Sequence, residues 1–389
     1  MKNFEFYLPT RVFFGKKALR AAEKELPRLG KKALFVFGRS SIFRTGLYDR
    51  IKELFKKTGI ESVDFGGIKS NPLFSKAMEG IELAIKEKVD FILAVGGGSV
   101  IDTAKAIACG VYHKDELWSF YERKGFPQKA LPVAAIPTIA GSGSELDNVS
   151  VLTHDETRLK ISMKSPLIFP KVSFLNPEFT LSVPPDYTAY GIVDAFSHFF
   201  EVFVSCENKS PCITREILAT LMKSLVYWSK ILMKDFYNYE ARANVMWISS
   251  LGLTDFVRAG LGRYLFVMHA IEHSLSGMYD LPHGLGLAIV MCGWMKKYSN
   301  SPALKEFFEK VFEIQAPSQK EVFEKGFQAF KEWIESTLKV PTTLRAVQIR
   351  EEEIPQLAEK AFEIFKIWGA DKYYSLEDVE DILKEALED

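Results

Sequence analysis

The chain has 389 residues, 47% of them hydrophobic and 26% charged, the proportions of a soluble globular protein too long for one compact core, so two domains are expected. Fifty basic residues balance fifty acidic ones, which leaves no positive field for nucleic acid or an anionic membrane and excludes both as expected partners. The four cysteines, Cys109, Cys206, Cys212 and Cys292, show no CxxC spacing and are expected to be reduced. The start, Met1-Lys2-Asn3-Phe4-Glu5, carries charge where a signal peptide needs an apolar core, and no stretch reaches the ~18 apolar residues of a membrane span. A cytoplasmic protein is expected.

From the N-terminus, short apolar runs alternate with amphipathic stretches: strand 33–37, helix 46–58, strand 62–65, helix 75–87 and strand 91–95. The run 133–136 continues the alternation to Pro137, and segments 160–163 and 172–175 flank a turn at Ser165-Pro166. Such alternation predicts a parallel sheet wrapped by helices. Prolines 177, 184 and 185 then mark a junction that helices cannot cross, and the domain boundary is placed near residue 180. Beyond it the periodicity is helical, over 210–232, 239–252, 302–312, 318–338 and from 376. The expected fold is an α/β nucleotide-binding domain over 1–180 and an all-α metal-binding domain over 181–389.

Three turns of the first domain are candidates for nucleotide contact. The buried-strand run 91–95 leads directly into Gly96-Gly97-Gly98-Ser99 and a helix, an arrangement that lets unpaired N–H groups and the helix dipole meet a pyrophosphate. Ile101 stands where GxGxxG needs glycine, so this is not the common dinucleotide fingerprint. A second turn, Thr138 to Glu145, is rich in small and hydroxyl residues. The third, Gly38-Arg39-Ser40-Ser41, has no acid to bind a ribose 2′-hydroxyl, which favours NADP(H) over NAD(H).

Four of the six histidines fall in the second domain with one aspartate, as Asp194-x3-His198 and His269-x3-His273-x9-His283. A four-residue step puts two side chains on one helix face, and carboxylate with imidazole suits Fe²⁺ or Zn²⁺. The neighbours are apolar, with Ala195, Phe196, Phe199 and Phe200 around the first pair. An aspartate in such a setting needs a partner. Spacing alone does not choose between His269 and His273 as ligand.

With Gly-Gly-Gly-Ser-x-x-Asp-x-x-Lys at 96–105, Pro-Thr-x-x-Gly-Ser-Gly-Ser-Glu at 137–145 and this Asp/His set, the chain resembles the iron-containing alcohol dehydrogenases, above all their butanol dehydrogenase branch. The similarity runs from Pro9-Thr10-x-Val12-x-Phe14-Gly15 to the last helices, and His269 through His283-Gly284 is its most specific part. The resemblance implies a dehydroquinate-synthase-like fold with the active site in the cleft between its domains, and a homodimer. It implies Asp194, His198, His269 and His283 as metal ligands, with His273 beside the metal. It further implies Gly96, Gly97, Gly98 and Ser99 on the pyrophosphate, Thr138 and Ser142 around the nucleotide, Asn71, Asp102, Lys160 and Leu181 lining the cofactor cleft, and Gly38 to Ser41 near the adenosine ribose. The acid-free Gly38-Arg39-Ser40-Ser41 is similar to the variant of NADP-using members. Three positions depart from the family pattern: Ile139 replaces a hydroxyl residue, Asn176 an aspartate, and Met268 a small residue or cysteine.

The expected activity is reversible hydride transfer between NADP(H), or NAD(H), and a short-to-medium primary alcohol or aldehyde whose oxygen is bound to Fe²⁺ or Zn²⁺. His273 either relays the alcohol proton or only shapes the pocket. A dehydroquinate synthase-like lyase would need a cluster of Lys and Arg for an anionic substrate. Near the ligands only Arg258 and Arg263 stand among Phe, Leu, Met and Tyr, which suits a small apolar alcohol. A metal-binding protein without catalysis is disfavoured by the joint presence of ligand set and glycine cradle.

Overall fold

Six parallel strands organise the N-terminal half, and their burial follows their place in the sheet. The elements in chain order are β1 (Arg11–Phe14), α1 (Ala18–Glu25), β2 (Lys32–Phe37), α2 (Ser41–Arg44), α3 (Leu47–Thr58), β3 (Glu61–Phe65), α4 (Phe74–Glu87), β4 (Phe91–Gly96), α5 (Gly98–Gly110), α6 (Leu117–Tyr121), β5 (Val133–Pro137), β6 (Val149–Thr153), β7 (Lys160–Lys164) and β8 (Val172–Leu175). The sheet order is β1-β8-β5-β4-β2-β3. Every residue of the central strands β4 and β5 is buried, whereas the edge strands β1 and β3 are partly exposed. That contrast is why 91–95 and 133–136 read as continuous apolar runs. Strand β1 lacks such a run, and the alternation did not reveal it.

The strand order reverses at β2, which pairs with β3 on one side and β4 on the other. Open α/β sheets bind ligands at such a switch point, beyond the carboxyl ends of the strands. The ladder aligns Phe37 with Val95, so the turns at Gly38 and Gly96 leave the sheet side by side. Segments 160–163 and 172–175, expected to flank one turn, go to different sheets. β7 pairs antiparallel with β6 in a separate two-stranded sheet, while β8 enters the main sheet between β1 and β5.

The computed structural model describes residues 1–388, in two compact units: Leu8–Val183, and Met1–Tyr7 together with the chain from Pro184 onward. Residues 1–7, expected with the nucleotide domain, thus belong with the helices. Their backbone explains the correction: the Lys2 amide donates to the Gly260 carbonyl at 2.9 Å, the Tyr7 amide to Asp255 Oδ2 at 3.0 Å, and Lys2 Nζ pairs with Glu207 at 2.6 Å.

The second unit contains α7 (Pro185–Ser205), α8 (Ile213–Leu232), α9 (Tyr239–Leu251), α10 (Val267–Tyr279), α11 (His283–Lys297), α12 (Pro302–Val311), α13 (Gln319–Lys331), α14 (Ile354–Trp368) and α15 (Leu376–Glu385). The expected helix 318–338 is α13 followed by a wider-wound turn, Glu332–Thr337. Helix α7 is buried almost all round, as a helix apolar on every face must be. It packs against α8 and α11, and α10 packs against α11 and α14. All four cysteines are free thiols, including Cys206 and Cys212. No described helix is long and apolar enough to cross a membrane.

Two glycines let α11 approach its neighbours closely. A Cβ on Gly284 would lie 2.0 Å from the Tyr190 carbonyl oxygen of α7, and one on Gly293 would lie 2.2 Å from the Ile382 carbonyl oxygen of α15. Both obstacles are backbone and cannot rotate away. Gly284→Ala is therefore expected to destabilise the helical unit by about 3 kcal/mol, read as a lower denaturant midpoint. An unchanged midpoint would show that the α7–α11 spacing is not set at this glycine.

Candidate functional site

Helices α7, α10 and α11 bring Asp194, His198, His269 and His283 to one point. Asp194 Oδ1 lies 3.4 Å from His198 Nε2, 3.6 Å from His283 Nε2 and 3.8 Å from His269 Nε2. These separations exceed hydrogen-bond lengths, which centre near 2.9 Å. Ligands held about 2.1 Å from a shared ion stand about 3.4 Å apart in tetrahedral geometry, close to the spacing seen. Asp194 Oδ1 and His269 Nε2 are buried with no hydrogen-bond partner. Buried polar atoms that face one another without a hydrogen-bond partner are what a divalent cation would satisfy once the imidazoles are deprotonated, so these residues fit a metal ion.

Two carboxylates absent from the expected set hold the imidazoles in place. Glu201, one turn beyond His198 on α7, bonds His269 Nδ1 and accepts the amides of Met268 at 2.6 Å and His269 at 3.1 Å. It therefore also caps the N-terminus of α10. Glu272 bonds His283 Nδ1 and accepts the Ser276 hydroxyl. A Cβ on Gly286 would come within 2.8 Å of the Glu272 side chain, so that glycine makes its room. In each pair the carboxylate fixes the imidazole so that Nε2 points inward, the usual outer support of a metal-binding histidine. The signal was available in the sequence: both glutamates lie three residues after a candidate ligand in a helix of apolar neighbours, where a carboxylate needs a partner.

His198 is kept ready by other means. Its ring stacks on His269 with centres 4.8 Å apart and meets Phe266 edge-on. A Cβ on Gly252 would sit 3.1 Å from its Nδ1, and that nitrogen has no partner. Burial, with His269 and Arg258 adding to it against Asp194, lowers the His198 value to about 3, so it stays neutral. Burial opposes the charge on His269 as well, but Glu201 and Asp194 raise its value to about 9. Burial raises the Asp194 carboxyl, yet His198, His269 and His283 together hold it well below the usual carboxylate range. His273 joins the same cluster, its ring centre 5.5 Å from that of His283 and 5.3 Å from Trp368. Met268, a departure from the family pattern, is fully buried and serves the cluster through its amide alone.

The nucleotide candidates gather in the α/β unit. Gly96 ends β4, Gly97 is extended, and α5 begins at Gly98 and Ser99. A Cβ on Gly98 would strike Ser142 Oγ at 2.4 Å, and the Thr138 amide donates to the Gly96 carbonyl at 3.0 Å. The second candidate turn is therefore fastened against the first. Ile139 covers Gly97, approaching to 3.2 Å of a Cβ placed there, which accounts for an apolar residue at that position. The bare glycines leave backbone N–H groups of the helix start open to an anion, and the cradle fits a pyrophosphate.

Asp102 accepts from Ser144 Oγ at 2.6 Å and from the Val151 amide at 3.2 Å, and burial raises its carboxyl to about 7, Asp147 adding and Lys105 opposing. Lys105, last residue of the glycine motif, is fully buried and bonds Ser144, Asp147 and the Val149 carbonyl. Its role is to tie α5 to β6. Lys160 Nζ donates to Asn71 Oδ1 at 3.0 Å, joining two expected cofactor residues in the interior. Leu181 closes the turn Pro177–Thr180, half-buried, and Asn176 caps that turn by accepting the Glu178 amide at 3.0 Å, a task asparagine performs as well as aspartate. Arg39, Ser40 and Ser41 are exposed beyond β2, and Ser40 Oγ accepts from Arg44 at 2.8 Å.

Comparison with known proteins agrees with both halves. The family model for iron-containing alcohol dehydrogenase matches residues 9–177, and that for the Fe-containing alcohol dehydrogenase family, C-terminal, matches 188–387. The chain is 35% identical to the probable NADH-dependent butanol dehydrogenase 1 of Bacillus subtilis over all of both chains. It is 31% identical to the NADPH-dependent aldehyde reductase YqhD of Escherichia coli over 92% of this chain and 93% of that one. The crystal structure of NADH-dependent butanol dehydrogenase A from Thermotoga maritima superposes with a TM-score of 0.95 at 35% identity, covering 100% of this chain and 99% of that one.

Two outcomes follow from the ligand geometry. Because its value is raised to about 9, His269 is protonated at neutral pH in the metal-free protein, and a cation must displace that proton. Affinity for Zn²⁺, measured by chelator competition, should rise from pH 7 and level off above about pH 9; a flat profile would contradict it. Glu272→Gln should weaken metal binding by roughly ten- to a hundredfold, and unchanged affinity would remove Glu272 from its positioning role.

Proposed function

The chain belongs to the iron-containing alcohol dehydrogenase family, and on that premise we propose that it passes hydride reversibly between NADP(H) and a short-to-medium primary alcohol or aldehyde. Fe²⁺ is the proposed resident ion, with Zn²⁺ able to take the same ligands. The observation that carries the reading is the set of buried Asp194, His198 and His269 with half-buried His283, whose spacing fits a cation and not mutual hydrogen bonds. When bound, the cation supplies Lewis acidity for the substrate oxygen and the nicotinamide supplies or accepts hydride.

The protein's own residues then have separate tasks. Asp194 and the three histidines offer four ligand atoms and leave a position for substrate. Glu201 and Glu272 orient His269 and His283 through their Nδ1 atoms. His273, against His283 and Trp368, takes the alcohol proton on an imidazole nitrogen in one direction and returns it in the other. Gly96 to Ser99 would hold the pyrophosphate with Thr138 and Ser142 around the nucleotide, and Asn71, Asp102, Lys160 and Leu181 would line the cofactor cleft. The relatives include NADH- and NADPH-dependent enzymes. The preference for NADP(H) is supported by the acid-free Gly38-Arg39-Ser40-Ser41, with Arg39 exposed to meet a 2′-phosphate. Homodimeric assembly is proposed from the family alone.

Protein purified anaerobically with Fe²⁺ should oxidise NADPH on addition of butanal, at a kcat/KM about tenfold above that with NADH. No turnover of any short aldehyde with either cofactor would sink the dehydrogenase reading. His273→Ala should retain the metal and lose about a hundredfold in rate. Loss of the metal instead would make His273 a ligand and overturn the assignment.

A further inference from the structure

One buried cation close to the ligand helices has no task in the reaction above. Arg258 lies in the loop between α9 and α10, just past the turn Asp255–Val257, and is only 9% exposed. Its guanidinium carbon stands 5.3 Å from the Tyr264 ring centre and 6.0 Å from that of Phe266. Phe266 in turn sets its edge against His198 and His269, with ring centres 6.3 and 5.1 Å apart. The loop is fastened along its length: the Tyr7 amide holds Asp255, the Lys2 amide holds Gly260, the Asn208 amide bonds Leu261 and the Glu207 amide bonds Arg263. Arg258 is thus held on a braced backbone beside the metal ligands.

Its three nitrogens are used unequally. Nη1 donates to the Tyr264 hydroxyl at 2.8 Å, while Nε and Nη2 are buried with no hydrogen-bond partner among the described residues. A guanidinium cannot shed its proton to escape this, so two charged donors are left unsatisfied in the interior, at a real cost in free energy. Nε and Nη2 form one edge of the planar group. Their N–H bonds run parallel and match the two oxygens of a carboxylate. With Nη1 held by Tyr264, that fork is oriented before any ligand arrives, which spares the entropy of fixing it.

We propose that the Nε/Nη2 fork of Arg258 binds a carboxylate at the far end of the substrate, making short ω-carboxylated aldehydes and alcohols the preferred substrates over unsubstituted ones. The two steps through Phe266 bound the distance from guanidinium to the His269 ring by their sum, so a short oxo acid is long enough to reach from one to the other. Tyr264 and Phe266 would face its methylene stem. This rests on the dehydrogenase reading, which it narrows to a substrate class.

The test compares kcat/KM of the Fe²⁺-loaded enzyme for 4-oxobutanoate and 5-oxopentanoate with that for butanal and pentanal, in the wild type, Arg258→Met and Arg258→Lys. The ratio of oxo acid to alkanal should exceed one in the wild type and fall on the order of a hundredfold in Arg258→Met. Lysine keeps the charge without the fork, so Arg258→Lys should recover only part of the ratio. A wild-type ratio below one, or a ratio unmoved by Arg258→Met, overturns the proposal while leaving the dehydrogenase intact. If Arg258→Met does not fold, the wild-type and Arg258→Lys ratios decide. If no aldehyde of either kind is reduced, the dehydrogenase reading itself has failed. Calorimetric titration of metal-free protein with succinate then decides the role of Arg258: saturable binding that weakens in Arg258→Lys supports it, and no binding to the wild type, or equal binding to Arg258→Lys, overturns it.

Discussion

A carboxylate buried between three imidazoles, with its inward oxygen unpaired, is the constraint around which the helical unit is built. Asp194 sits in a helix whose neighbours are phenylalanines and aliphatics, where an isolated charge would be very costly. Its oxygen faces three Nε2 atoms at distances too long for hydrogen bonds and suited to a shared cation. Three helices must meet at that point. The crossing of α7 and α11 allows it only because Gly284 has no side chain to strike the Tyr190 carbonyl, which seats His283 at the start of α11 opposite Asp194.

The histidines are made ready in two ways. Glu201 and Glu272 each fix one ring through Nδ1, whereas His198 has no such carboxylate and is held by stacking, by the Gly252 backbone behind it and by burial that keeps it neutral. Glu201 reaches from α7 to the first amides of α10, so the contact that orients His269 also joins two helices that carry candidate ligands. Site and scaffold share the same bonds. The nucleotide half follows a parallel logic, with Lys105 tying α5 to β6 below the glycine turn while Gly98 and Ser142 close above it.

Much of this was legible in the chain because the chemistry is local. Asp194-x3-His198 and His269-x3-His273 announce one helix face each, and the buried runs of β4 and β5 announce a parallel sheet. What stayed hidden depends on contacts distant in sequence. The exposed edge strand β1 carries no continuous apolar run, and residues 1–7 join the helical unit through bonds to Asp255, Glu207 and Gly260 that no periodicity encodes. Strands β7 and β8 look alike in sequence and part company only through their partners. Glu201 and Glu272 were readable by the argument that selected Asp194, and Arg258 was visible as a cation, but its unpaired fork is a fact of three dimensions.

The central claim is that one divalent ion lies among Asp194 Oδ1 and the Nε2 atoms of His198, His269 and His283. Anomalous diffraction from crystals of anaerobically purified protein, recorded on both sides of the iron and zinc edges, tests it most directly. The account predicts a single strong peak within about 2.0–2.2 Å of all four atoms. A peak centred instead on Glu272, His273 and His283, or none at this cluster in protein that carries stoichiometric metal, would contradict it.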